Sequence, residues 1–392
     1  MNTAWQFINK DGKKMKTLKR LTAILLAVVM AVSAAGCSTK AQWSYKTQDD
    51  ELAIGVYIYS VYAAYSQAQN LASSVEGYDS SKSFLDLEIQ GEDDDEPLKA
   101  EEWIKEKADE MCRSILAVSK LCKDRNVTLS DERMKEIDEA AKSDWELGFN
   151  YQYYAAMGYA STPLKDILEP KGVSLDSFKQ AYYTANELQY ELFCNVYKEG
   201  GERAVADSEL KDFFYDNYTS YKYISKSLSK SETGEDGNST TVAMSDSEIK
   251  EIEDKFNAYA DTINKGGKWD DVSKQYMTDN DTESDPTVSN TAVLEDSSLS
   301  DDLKDAIAKL KEGKASVVTV GSAESAVMYL VYKAPLADAE ESSFGTDSAA
   351  EQILISYKSE EFADWIDSYA KEMDITVNSS QISKYAPKIF EK

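Results

Sequence analysis

The sequence predicts an α+β protein in which segments from both ends of the chain form a helical domain around an inserted domain of mixed helix and sheet. Two observations carry this prediction. Apolar residues recur at helical spacing through residues 49–220 and again through 347–373. Residues 221–334 instead read strand, helix, short helix, short strand, helix and β-hairpin. With 392 residues, of which 42% are hydrophobic, the chain can build two or three cores.

The helical part opens with a tyrosine-rich stretch over residues 49–74. Leu52, Val56 and Tyr59 follow one another at i, i+4 and i+7, which places them on one helix face. Similar patterns predict further helices over 99–125, after Ser130 as N-cap, near Ser174, and after a cap at Asp207 or Ser208. Short connectors between these helices indicate helix hairpins.

The inserted part opens with the strand "NYTSYKYISKSLSK", residues 217–230, in which Tyr221 and Tyr223 alternate with polar residues. A capping box of Ser245 and Glu248 starts the next helix. "ASVVTVG" and "AVMYLVYK" form a β-hairpin at the end. We therefore expect domains at 37–220, 221–334 and 335–392, the last completing the helical domain.

The first 36 residues are predicted to be a lipoprotein signal peptide. Basic residues precede an apolar run from Leu21 to Val32, and small residues lead up to Cys37. "AAGC" resembles a bacterial lipobox, with Ala34 where leucine is usual, so Cys37 is expected to carry lipid. Plain cleavage nearby, with Cys37 an ordinary thiol, is the alternative. Met15 or Met1 is the start, and the polar run after Cys37 is expected to be a tether.

Charge and composition exclude several classes of function. The net charge of −28 argues against nucleic-acid binding, which needs basic surface. The chain has no histidine, so histidine-activated nucleophiles and histidine-ligated metals are absent. The acidic run at 279–285 lacks the glycine and final glutamate of an EF-hand, so we expect neither metal nor cofactor. Cys112 and Cys122 are predicted to be buried free thiols, while the state of Cys194 stays open.

The order of these parts resembles the PrsA-type and SurA-type extracytoplasmic foldases. The resemblance rests on "VTLSDERMKEI", "GVSLDSFKQAYYTANELQYEL", "VADSELKDFFYDNYTSY" and "WIDSYAKEMDITVN". Within the inserted part, "AYADTINKGGKWDDVSKQYMTDN" and "LKDAIAKLKEGKASVVTV" resemble helices of a parvulin-type prolyl isomerase domain. The resemblance spans essentially the whole chain after the signal peptide.

The resemblance also implies what has been lost. An active parvulin domain carries a histidine in its first strand and another in its last, and these would fall among residues 224–226 and near 326–327, where none occurs. Tyr223, Met328 and Tyr329 are candidates to line a shallow peptide groove, or else they pack in the sheet core. No catalytic residue is therefore assigned.

The expected function is that of a chaperone anchored to the bacterial cell membrane through lipid, facing the extracytoplasmic side and binding unfolded exported proteins. The alternatives are an active parvulin-type peptidyl-prolyl isomerase and a lipoprotein scaffold of a surface assembly. The sequence does not name the clients or the oligomeric state.

Overall fold

A computed structural model describes residues 42–91, 94, 96–233 and 239–391. These residues fall into two units. We call Ala206–Tyr357 the insert unit, and residues 42–205 together with 358–391 the terminal unit. That residues 221–334 fold independently as a domain stays a prediction.

The terminal unit is mainly helical. Its elements are β1 (Trp43–Lys46), β2 (Glu51–Ala53), α1 (Ile54–Ala72), β3 (Glu88–Ile89), β4 (Leu98–Lys99), α2 (Ala100–Arg125), α3 (Asp131–Leu147), α4 (Tyr151–Ala156), α5 (Leu164–Leu168), α6 (Leu175–Phe178), a π-helical segment (Lys179–Thr184) and α7 (Ala185–Tyr197).

The insert unit holds the larger sheet. Its elements are α8 (Asp207–Asn217), β5 (Tyr218–Ser227), β6 (Ser229–Thr233), β7 (Ser239–Ala243), α9 (Asp246–Asn264), α10 (Trp269–Asp279), β8 (Val288–Val293), α11 (Asp301–Lys309), β9 (Lys314–Val320), β10 (Val327–Ala334) and α12 (Glu340–Phe344). Helix α13 (Asp347–Glu372) contains the unit boundary, and β11 (Thr376–Val377) and α14 (Ser379–Ile382) close the terminal unit. The predicted α+β class is confirmed.

The two ends of the described chain meet in a small antiparallel sheet of order β11-β1-β2. Tyr45 pairs with Val377 on one side and with Leu52 on the other, and its side chain is fully buried. Residues 43–46 are therefore a core strand, and the prediction of a tether is wrong for them. Residues 51–53 pair with β1 as a strand, so the first helix begins at Ile54 and not at residue 49 as predicted.

Local sequence signals fix most helix starts. Ser130 accepts a hydrogen bond from the third backbone N–H of its helix, as predicted. Ser174, near which a helix was predicted to start, caps its helix in the same way. The predicted cap at Asp207 or Ser208 is wrong, because Ala206 occupies the N-cap of α8 and contributes no side-chain hydrogen bond. The predicted thiols are confirmed: Cys112 and Cys122 are free and buried, and burial raises the pKa of Cys122 to about 12.

Aromatic rings account for much of the terminal-unit core. Phe178 is fully buried and lies between several rings. Its ring centroid is 5.3 Å from that of Tyr59, 5.8 Å from Trp145 and 5.9 Å from Tyr182. Such pairs add roughly 0.5–1.5 kcal/mol each beyond their buried area.

The insert unit is built on an antiparallel sheet of order β8-β5-β10-β9. Because strand side chains alternate between faces, each face has its own core. Helices α9 and α10 cover one face, where Ile224, Met328 and Leu330 join Phe256 and Trp269. The capping box that starts α9 is present as predicted. The other face is covered at one end by α11, and this difference between the faces positions the candidate site.

Candidate functional site

Two tyrosines meet on the sheet face that α11 leaves partly uncovered. Tyr223 on β5 lies opposite Val331 on β10, and Tyr329 lies opposite Ser225. The tyrosines are therefore diagonal neighbours on one face, close enough for their side chains to touch. Their ring centroids are 5.6 Å apart in an edge-to-face arrangement of 68°.

Valines extend this surface on both sides of the tyrosine pair. Val288 of β8 lies opposite Tyr223, and Val318 of β9 lies opposite Tyr329. Val288 is 44% exposed, whereas both tyrosines and Val318 are half-buried. We call this surface the open face; its members are Tyr223, Val288, Val318, Val320, Val327 and Tyr329.

A helix covers only one end of this side of the sheet. Leu303 and Ile307 of α11 pack with Tyr221 and Val331 in a small core cluster. Four members of the open face, Tyr223, Val318, Val320 and Tyr329, pack against that cluster and are half-buried, so the open face continues from it. It is therefore a shallow apolar strip supported by a packed sheet rather than an enclosed cavity.

Met328 does not join the two tyrosines. Its side chain is 2% exposed and packs on the opposite face with Ile224 and Leu330. Residues adjacent in a strand point to opposite faces, so Met328 and Tyr329 could not line one groove. Of the three residues proposed from the sequence, the structure brings together Tyr223 and Tyr329.

The chemistry of the open face is limited to hydrogen bonding and apolar contact. Burial raises the pKa of the Tyr223 phenol, and the neighbouring Tyr221 and Tyr329 raise it further. Tyr223 is therefore a neutral hydrogen-bond donor at ordinary pH and not a base. The exposed Ser225 adds a hydroxyl beside it. This face suits an extended peptide whose carbonyls accept hydrogen bonds while its side chains contact the valines.

The positions at which the family resemblance places histidines hold isoleucine, serine, lysine, alanine and valine. Ile224 is fully buried on the helix-covered face, and Ser225 is exposed on the open face. The Lys226 ammonium donates to the Asn280 side-chain oxygen at 3.1 Å. Ala326 is 8% exposed and offers no polar side chain.

The acidic stretch after α10 is used for local hydrogen bonding. The Ser273 hydroxyl donates to Asp285 at 2.7 Å, and the Thr287 N–H donates to the same carboxylate at 2.9 Å. These donors hold the pKa of Asp285 below its usual value. Across the described ranges, no three Cys, Asp or Glu side chains converge in a set that could hold a metal ion.

Sequence reasoning missed the valines of the open face. The alternation of Val318 and Val320 in β9 was visible, but their neighbours across the sheet follow only from strand order. Cys37, the predicted lipidation site, lies outside the described residues. Within the residues that the structure describes, no helix is both long and apolar enough to cross a membrane.

Comparisons with known proteins find similarity only among solved structures. No family model and no curated protein matches the chain. The foldase protein PrsA from Streptococcus pneumoniae matches over 76% of this chain and 96% of its own, with 16% identity and a TM-score of 0.35. PrsA from Bacillus subtilis matches over 76% of this chain and 98% of its own, with 18% identity and a TM-score of 0.25.

The resemblance to PrsA-type foldases predicted from the sequence is confirmed as a match to solved PrsA structures. Both TM-scores lie below 0.5, so the match assigns no role to the open face.

Proposed function

We propose that this chain is a lipid-anchored extracytoplasmic chaperone that binds unfolded exported polypeptides and does not catalyse prolyl isomerisation. The observation that carries the proposal is the open face, where two tyrosines and four valines form an apolar strip on a packed sheet. An unfolded polypeptide exposes apolar side chains that are buried once it folds, and an apolar strip can bind these side chains. The excess of negative charge on the chain would keep a complex soluble.

The groups on the open face are too few to catalyse prolyl isomerisation. Rotation about a peptide bond has a barrier of about 18–20 kcal/mol. Each tenfold acceleration needs about 1.4 kcal/mol of additional binding to the twisted amide. Tyr223, Ser225 and Tyr329 supply hydroxyl groups, and a dry apolar strip could contribute a small rate increase. A larger one would need several polar groups fixed around the amide.

Anchoring is proposed through Cys37 and its sequence context. One acyl chain binds a membrane only marginally, so two chains are expected on this residue. A Cys37→Ala chain that is processed normally and released from membranes would support the proposal. The same variant found membrane-bound after normal processing would contradict it.

Two assays on the mature chain test the central proposal. The first follows aggregation of thermally unfolding citrate synthase. The second follows cis-to-trans conversion of a chromogenic proline tetrapeptide that chymotrypsin cleaves only in the trans form. We expect suppressed aggregation and little acceleration of isomerisation. Parvulin-like turnover would favour the isomerase, and absence of both activities would favour the scaffold.

A pair of matched variants connects activity to the site. Tyr329→Ser removes a ring from the open face and should weaken aggregation suppression. Tyr215→Ser removes a 43% exposed ring of the same unit on α8, outside the open face, and should leave suppression unchanged. Equal behaviour of the two variants would show that the open face does not bind clients.

A further inference from the structure

A second apolar surface lies in the terminal unit, between α3 and α5. Residues 147–164, "LGFNYQYYAAMGYASTPL", contain no charged side chain, although 29% of the whole chain is charged. We call this segment the aromatic loop. It contains the short helix α4 and four tyrosines.

The base of the aromatic loop is closed by contacts between its two ends. Glu146 and Lys165, the charged residues on either side of the loop, pair with each other. The Ser161 hydroxyl donates to the Leu147 carbonyl. Gly148 has φ +88°, and a Cβ there would lie 2.3 Å from the Thr162 carbonyl oxygen, so only glycine allows this approach.

One aromatic side chain anchors the loop. The Phe149 ring lies 5.3 Å from that of Tyr182 and 6.1 Å from that of Phe178, within the aromatic core. The rest of the loop therefore projects from a fixed base. The segment is built as a protruding element and is not a frayed helix end.

The projecting side chains are large, apolar and exposed. Met157 is 55% exposed and Tyr159 is 64% exposed, with Leu147, Tyr153 and Tyr154 at 41–50%. These five are most of the exposed large hydrophobic residues among the described parts of the chain. Contiguous exposure of this kind marks an interaction surface.

The composition of the loop indicates an adaptable contact. Tyrosines accompanied by small glycine, serine and asparagine residues are typical of antibody loops, where tyrosine supplies rigid contact area and small residues supply adaptability. Methionine is flexible and common at surfaces that accept many partners. Tyrosines among small residues and a flexible methionine suit a surface that binds many apolar ligands of different sequence.

The charge next to the loop specifies that chemistry further. Helix α3, "DERMKEIDEAAKSDWEL", leads into the loop and carries seven acidic and three basic residues. Four of the seven acidic side chains pair with basic ones: Glu136 with Arg133, Glu139 with Lys135, Asp138 with Lys179 and Glu146 with Lys165. The helix itself keeps an excess of four acidic residues over basic ones. An apolar ligand segment with basic ends would meet the uncharged loop at its centre and acidic surface beside it. A ligand with acidic ends would be repelled.

We infer that the aromatic loop binds extended polypeptide segments in which apolar side chains are flanked by lysine or arginine. This inference rests on the proposed chaperone function and adds the chemical class of the client. The loop is a capture site separate in sequence and unit from the open face.

The test uses two fluorescent peptides that share one apolar core and carry either two lysines or two glutamates at each end. Binding to the mature chain is measured by fluorescence anisotropy. We expect the lysine-flanked peptide to bind roughly tenfold more tightly, with a preference that falls as salt rises. The triple variant Tyr153→Ser/Met157→Ser/Tyr159→Ser should lose roughly tenfold in affinity for it.

Controls separate binding from folding. The triple variant changes exposed residues, so its urea midpoint should match that of the unchanged chain. Tyr78→Ser alters a half-buried tyrosine of the same unit outside the loop and should keep the peptide affinity.

Each further outcome has one meaning. Equal affinity of the two peptides, or unchanged binding by the triple variant, overturns the inference while aggregation suppression by the unchanged chain still upholds the chaperone function. The vesicle test uses the unlipidated Cys37→Ala chain, with and without the triple substitution. If the triple substitution abolished co-sedimentation of that chain with phosphatidylcholine vesicles but left peptide binding intact, the loop would be a membrane contact and the inference would be overturned. Failure of the unchanged chain to suppress aggregation refutes the proposed function, whereas the peptide comparison continues to report on the loop.

Discussion

Replacing Met328 with alanine separates the role of the sheet core from that of the open face. Met328 is 2% exposed and packs among Ile224, Leu330 and Phe256 on the face covered by helices. Truncating a buried methionine removes its transfer free energy and leaves a cavity, which together cost about 2–5 kcal/mol. For a unit of this size, 1 kcal/mol shifts the midpoint by about 2–4 °C, so the insert unit should melt about 4–20 °C lower.

The same substitution should leave client binding intact wherever the variant remains folded. Thermal unfolding by circular dichroism gives the stability change, and citrate synthase aggregation gives client binding. A midpoint within 1 °C of the unchanged chain would show that Met328 is not a core residue. Loss of aggregation suppression by the folded variant would show that Met328 contributes to the client surface and refute its assignment to the opposite face.

Three further predictions concern single groups. Hydrogen bonds from Lys230 and then from Ser245 lower the pKa of Glu248 to about 2. The ionised carboxylate should therefore stabilise the protein fully above about pH 4.5 and lose this effect as the pH falls to 2. In urea titrations, the free energies of unfolding of Glu248→Gln and of the unchanged chain should differ at about pH 4.5 and converge as the pH approaches 2. Gln189 is 1% exposed and its amide has no hydrogen-bond partner among the described residues, so Gln189→Met should raise the free energy of unfolding by about 1 kcal/mol in urea titrations, and a loss of stability would contradict this. Cys194 is half-buried whereas Cys112 is fully buried, so a thiol reagent should label Cys194 first in the folded protein; equal labelling rates would disprove the burial of Cys112.

Elements specified by nearby residues were predictable from the sequence. The capping box of Ser245 and Glu248 and the N-caps at Ser130 and Ser174 depend on contacts three residues apart. Such signals are complete within a short window, so the helices they begin were placed correctly. The strands of the insert hairpin followed in the same way from two runs rich in β-branched and aromatic residues on either side of the turn "SAES".

Features that depend on distant residues were not predictable. The strand β1 lies in a polar stretch, and its identity follows from pairing with β2 and β11. The helical pattern of α3 continues in the sequence past Gly148, but the helix ends at Leu147. It ends there because the backbone at Gly148 packs closely against the Thr162 carbonyl. The grouping of Met328 with Tyr329 was wrong, and the alternation of side chains along a strand is enough to show it. The valines beside Tyr223 and Tyr329, in contrast, could be identified only once the order of the strands was known.

The pairing of β1 with β11 has a consequence for the order in which the protein can mature. Asn378 donates a side-chain hydrogen bond to the Trp43 carbonyl, a contact between residues 335 positions apart. Whether the chain emerges from the ribosome or from an export channel, its N-terminal end emerges first, so the first strand waits for a last partner that lies 335 positions later. Helices α8 to α12 and the sheet between them are complete in sequence before that partner is made. The terminal unit is therefore the first to begin emerging and the last to complete its fold. Until β11 is present, one edge of β1 has no strand paired with it and the Tyr45 side chain is not fully covered.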